Sequence, residues 1–105
     1  MSVPFGPVYP ESAYRKIFQL VADSEKPALH EHLQWEIEYG ERADEFECLG
    51  PRPRRGDLFL ILGDLEDEGA LVATPEGIEV PDVNPPNMDT VIGNLASRGL
   101  VVTSA

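Results

Sequence analysis

Cysteine is almost missing from this chain: Cys48 is the single one among 105 residues. No internal disulfide can close and no cysteine set can hold a metal, which makes a cytoplasmic location the simplest expectation. Basic residues are also scarce, with 8 Lys and Arg against 19 Asp and Glu, a net charge of −11 when both histidines are neutral. A protein grips phosphates largely by releasing counterions to Lys and Arg, so this balance argues against direct nucleic-acid binding and for a basic partner. Long apolar runs are absent too. The longest is Leu58 to Leu62, whereas a bilayer span takes about 20 residues, and the negative charge disfavours anionic membrane surfaces. The opening Met1-Ser2-Val3-Pro4-Phe5-Gly6-Pro7 has neither a basic leader nor an apolar core, so no signal peptide is expected. The sequence shows no internal repeat, no phosphate-cradling or dinucleotide glycine pattern and no serine in a nucleophile elbow, and no cofactor is expected.

What is present supports a folded chain. Hydrophobic residues make up 42%, and a domain of this length buries roughly 60–70% of its unfolded surface. The charge divides as −6 over residues 1–50 and −5 over residues 51–105, so no acidic tail separates from a neutral body. One domain spanning 1–105 is expected, with residues 1–10 an extended arm set by Pro4, Pro7 and Pro10.

Tyr14, Ile17, Phe18 and Val21 recur at helical spacing and predict a helix from Pro10 to Asp23, ended before Pro27. Residues 28–49 are ambiguous. On a helix, Leu29, Leu33 and Ile37 share a face while Ala28, Trp35 and Tyr39 oppose them; on a strand, Leu33, Trp35, Ile37 and Tyr39 all point one way. The alternation favours a β-hairpin, with a loop at residues 40–44 and a return strand carrying Phe46 and Cys48. After the Pro- and Arg-rich joint at residues 51–56, Asp57 offers an N-cap to a helix over 58–68 built on Leu58, Ile61, Leu62 and Leu65, with Gly69 closing it. A buried strand at Leu58–Leu62 is the rival reading. A short strand at Ala70–Thr74, a turn at Pro75-Glu76-Gly77, a returning Ile78-Glu79-Val80, a helix capped by Asn87 and ended at Gly99, and a strand at Leu100–Thr103 complete the chain.

Few residues suggest chemistry. His30-Glu31-His32 is the only histidine cluster; on a helix the two rings diverge by about 200°, and on a strand they lack a third ligand, so no metal site is expected. Cys48 reads as a small apolar residue rather than a thiol nucleophile. Acids are the main candidates. Glu36, Glu38, Glu45 and Glu47 would line the outer face of the hairpin, and Asp64, Glu66, Asp67 and Glu68 cluster at a helix C-terminus. The second cluster opposes the helix macrodipole and does not match a calcium loop. Like charges across strands are also unfavourable, so each set is either simply solvated or complementary to a basic partner surface. Arg52, Arg54 and Arg55 form the one basic cluster.

The segment from Val91 to Val102, an apolar-faced helix ending in Arg98-Gly99-Leu100-Val101-Val102, resembles the third helix and first wing strand of a winged-helix domain. The longer stretch from Glu68-Gly69-Ala70-Leu71-Val72 through Asn84-Pro85-Pro86-Asn87-Met88 is similar to the winged-helix domain shared by plectin and a eukaryotic small-subunit ribosomal protein. The resemblance covers the last 45 residues or so and carries no catalytic motif. Together with the N-terminal helix and the β-hairpin read from the residue pattern, the resemblance gives an α+β fold whose C-terminal half is winged-helix-like, with a second wing strand supplied by residues 33–49. The expected function is a non-catalytic acidic protein-binding module, in its sharpest form an inhibitor that mimics DNA and occupies a partner's nucleic-acid-binding surface. The alternative is a winged-helix transcription regulator acting as a dimer.

Overall fold

The computed structural model describes residues 9–24, 27–49, 55–82 and 87–102. Its elements are β1 (Tyr9–Pro10), α1 (Glu11–Ala22), α2 (His30–Tyr39), a 3-10 segment (Ala43–Leu49), α3 (Arg55–Asp67), β2 (Val72–Thr74), β3 (Gly77–Glu79), α4 (Met88–Ser97) and β4 (Val101–Val102). This is a small α+β fold dominated by helices.

The apolar stripe of α1 does what its period requires. Ala13, Tyr14, Ile17, Leu20 and Val21 are buried and meet Leu58, Ile61, Leu62 and Leu65 of α3 together with Val91, Ile92 and Leu95 of α4 in one core. Helix α3 begins at Arg55, ahead of the expected cap. Asp57 therefore sits in its first turn, where its carboxylate accepts a hydrogen bond from the Tyr9 hydroxyl at 2.7 Å.

Helices α3 and α4 end in the same way. The Gly69 and Ala70 amides donate to the carbonyls of Glu66 and Leu65, and the Gly99 and Leu100 amides donate to those of Ala96 and Leu95. Each is a Schellman closure, and the left-handed residue it needs is Gly69 or Gly99, both at φ 75°. The carbonyls left over at each helix end are thus satisfied by the chain that leads into the next segment.

Two small sheets flank the helices. Strands β2 and β3 form the expected antiparallel hairpin, with Val72 opposite Glu79 and Thr74 opposite Gly77 across Pro75-Glu76. Ala28 exchanges both backbone hydrogen bonds with Ile78 at 2.8 Å, which ties the α1–α2 connection to the hairpin. Gly77 lies at φ 145°, and a Cβ there would come within 2.8 Å of the Ala28 carbonyl oxygen, so only glycine permits this approach. The other sheet pairs β1 with β4 in parallel, Tyr9 with Val101 and Pro10 with Val102. The partner of the last strand is therefore the N-terminal arm and not residues 33–49, which corrects the source expected for a second wing strand.

The hairpin expected over residues 33–49 is overturned. Residues 30–39 are helical and residues 43–49 form the 3-10 segment, kinked at Phe46. The physical reason lies in which side chains the core accepts. Leu33 and Ile37, on one face of α2, are 0% and 2% exposed, while Trp35 and Tyr39, on the other, are 53% and 72% exposed. Phe46 is buried beside them. Cys48 and Glu47 have side chains outside the described residues, as do Arg55 and all of Arg52 and Arg54. Among the described residues, no helix is long and apolar enough to cross a membrane.

Candidate functional site

Each arginine whose side chain the structure describes is committed to internal carboxylates. Arg15, on α1, reaches Glu11 at 2.9 Å and Asp89 at the start of α4 at 2.7 Å. Arg42, just past α2, reaches Asp23 at 2.7 Å and Glu45 at 2.9 Å. Arg98, the C-cap of α4, reaches Glu68 at 3.3 Å and Asp67 at 4.0 Å. The hydrogen bonds that Arg15 donates to Asp89 and Glu11 raise its guanidinium above the ordinary range, and those that Arg42 donates to Glu45 and Asp23 do the same for Arg42. Lys16 is the one cation among the described side chains with no ion pair.

The eight acids expected to bind a partner meet different fates. Glu36 lies 3.7 Å from the His32 Nε2 one helical turn back. Glu38 is two residues further on α2 and so points about 200° away, which dissolves the expected row. Glu45 is engaged by Arg42, and the Glu47 side chain lies outside the described residues. Asp64 accepts the Tyr14 hydroxyl at 2.7 Å, and Asp67 and Glu68 face Arg98. Stability thus accounts for several acids that the sequence marks as unexplained. Without an ion pair among the described residues are Glu38, Asp64 and Glu66 of the expected set and, outside it, Glu41 in the turn after α2, Asp44 in the first turn of the 3-10 segment, Glu76, Glu79 and Asp82.

A second feature escaped the sequence reading. Between α3, the start of α2 and the β2–β3 hairpin runs an open apolar groove of about 840 Å³, lined by His30, Gly56, Phe59, Leu60, Leu62, Gly63, Glu66, Ala73 and Ile78. Phe59 is 69% and Leu60 45% exposed, although both belong to the most apolar stretch of the chain. The Phe59 ring lies 6.0 Å from that of His30, tilted by 55°. A signal for this groove was available: Leu58, Ile61, Leu62 and Leu65 already fill a core face, which leaves Phe59 and Leu60 as apolar residues with no place in it.

Chemically the surface offers carboxylates and an apolar groove. Among the described residues, no group of three or more His, Cys, Asp or Glu side chains could hold a metal ion. The outer face of α4, which would enter a DNA groove in a winged-helix protein, carries Asp89 paired with Arg15 and Arg98 paired with Glu68. Comparison with protein-family models, with curated proteins and with solved structures returns no match for this chain.

Proposed function

We propose that this chain is a non-catalytic protein-binding module whose acidic surface engages a basic partner. One observation carries the reading: the described arginines are all consumed by internal carboxylates, while Glu38, Glu41, Asp44 and Glu66 keep uncompensated charge. Such a surface attracts basic partners at long range and repels polyanions. In its sharpest form the module is an inhibitor that covers a nucleic-acid-binding surface, its spaced carboxylates standing in for phosphates. Glu38 near the end of α2, Glu41 in the turn that follows and Asp44 at the start of the 3-10 segment follow one another within seven residues of sequence, and they are the residues assigned to first contact.

The test is capture from a cognate lysate at low and at high salt by the wild-type chain and by a Glu38→Lys, Glu41→Lys, Asp44→Lys variant. Basic proteins retained at low salt by the wild type alone are the expected result. Capture of the same proteins by both chains at every salt concentration refutes the acidic surface as the binding element.

A winged-helix regulator is the second reading, favoured by the order α3, β2, β3, α4, β4 over the C-terminal half. It requires DNA to compete with Glu68 and Asp67 for Arg98. A shift of duplex DNA at micromolar protein in about 150 mM salt, abolished by Arg98→Ala, would put this reading first, since non-specific binders show Kd values near 10⁻⁴–10⁻⁶ M there.

A further inference from the structure

We infer that the outward face of α2 is a docking site for an arginine-rich segment of a partner protein, an inference that rests on the acidic-surface reading and names the chemistry which that surface takes. Trp35 and Tyr39 stack on the guanidinium groups of the segment, and Glu38 pairs with their charge.

Trp35 and Tyr39 are both exposed. At about 100° per residue they stand about 40° apart, on the face opposite the buried Leu33 and Ile37. Residues four apart on a helix have Cβ atoms about 5–6 Å from one another, near enough for one extended arginine side chain to lie across both rings. Among the described residues, neither side chain makes a hydrogen bond or a ring contact. Tryptophan and tyrosine are also only middling helix formers. The fold of the chain alone therefore gives no reason to set two of them in water, whereas Trp and Tyr are prominent among the residues that carry the energy of protein interfaces.

Charge decides what covers them. Glu38 lies three residues beyond Trp35 and directly before Tyr39, so it flanks the indole on the helix surface. It has no ion pair among the described residues, and neither has Glu41 nor Asp44 in the chain that follows. The face of an aromatic ring carries the negative part of its quadrupole and attracts cations, so the rings and the carboxylates favour the same occupant. A purely apolar partner would bury Glu38 without a counter-charge, and a polyanion would be repelled. Arg15, Arg42 and Arg98 are held by internal carboxylates and do not compete for the site.

Arginine fits this face better than lysine. A guanidinium is planar, stacks on an aromatic face and can fork to a carboxylate at the same time, whereas an ammonium is a compact and strongly hydrated charge. Net charge alone draws the two equally. A preference for arginine that depends on the two rings thus separates this site from a general acidic surface.

Binding of fluorescein-labelled nona-arginine and nona-lysine to the whole chain, read by anisotropy at about 150 mM salt, tests the inference. The wild type should bind nona-arginine at least about fivefold more tightly than nona-lysine, and bound nona-arginine should shield Trp35 from acrylamide. Trp35→Ala combined with Tyr39→Ala should keep the helical circular dichroism and lose that preference, while Trp35→Phe combined with Tyr39→Phe, which keeps two rings, should retain most of it. A preference that survives in the double alanine variant overturns the inference. So does a wild type that binds the two peptides equally or does not bind nona-arginine. The variant Glu38→Lys, Glu41→Lys, Asp44→Lys reads the acidic surface separately. Equal binding of the two peptides that is lost in this variant keeps the acidic surface and removes the arginine site; nona-arginine binding that is unchanged in it refutes the acidic surface and, with it, the inference that rests on it.

Discussion

The Tyr14 hydroxyl donates a hydrogen bond to the Asp64 carboxylate at 2.7 Å, across fifty residues of sequence and between the two central helices α1 and α3. The Tyr14 ring is fully buried, with the Tyr9 ring packed edge-on against it at 6.2 Å. The same hydroxyl lies 3.4 Å from the Leu100 carbonyl oxygen, so it ties α1 both to α3 and to the chain after α4, while Glu66, two residues beyond Asp64, lines the groove.

Removing either partner should therefore cost stability. Asp64→Ala leaves the buried hydroxyl only the longer contact to the Leu100 carbonyl oxygen and Tyr14→Phe takes the hydrogen bond from the carboxylate, each at about 1–3 kcal/mol. Burial, reinforced by Asp64, raises the Tyr14 phenol far above its ordinary value. The folded chain thus holds this proton where the unfolded chain, with a phenol pKa near 10, releases it. The stabilisation is complete below about pH 10 and declines as pH rises above it. Denaturant melts of wild type and Tyr14→Phe should show a steeper alkaline loss in the wild type; parallel slopes would refute the assignment.

The glycines divide into those the backbone needs and those it does not. Gly93 sits in α4 with open space around a would-be Cβ, and Gly93→Ala should raise stability by about 0.5–1 kcal/mol. Gly69, at φ 75°, closes α3 in the left-handed region, so Gly69→Ala should lower stability by about 1–2 kcal/mol although nothing crowds it. Thermal melts of the two variants should move in opposite directions.

The start of α4 rests on one side chain. Asn87 Oδ1 accepts the Asp89 amide at 2.9 Å, and Asn87→Ala should cost about 0.5–2 kcal/mol, with Asn87→Asp close to neutral. Equal losses in both variants would show that something other than the cap is at stake.

Much of this arrangement was legible in the residues. The stripes of α1, α3 and α4, the closures at Gly69 and Gly99, the Asn87 cap and the Pro75-Glu76 turn each follow from local rules that the tertiary structure respects. The failure at α2 has a definite source. Leu33, Trp35, Ile37 and Tyr39 alternate, and the reading assumed that the two aromatics are as buried as the two aliphatics. The core took only Leu33 and Ile37, one helical turn apart, and left the aromatics outside. The acidic sites failed for a related reason, because ion pairs such as Arg98 with Glu68, thirty residues away, are set by packing and not by spacing. The groove went unread because Phe59 and Leu60, which the period of α3 already leaves off the core face, sit in one continuous apolar run with the residues that fill it.

Trp35 is the chain's one tryptophan and so reports on α2 without interference. At 53% exposed, on the face opposite Leu33 and Ile37, its indole is half in water in the folded chain. Its fluorescence should be red-shifted for a folded protein, quenched efficiently by acrylamide, and only modestly changed on unfolding. Trp35→Ala should then cost less than about 1 kcal/mol, as a surface change does, whereas Leu33→Ala on the buried face should cost about 2–5 kcal/mol. In a hairpin with Leu33, Trp35, Ile37 and Tyr39 all facing inward, both truncations would be severe and the emission blue-shifted and shielded. Quenching and the two stability changes, measured together, separate these arrangements. A shielded tryptophan whose removal unfolds the chain would restore the strand and displace the helix.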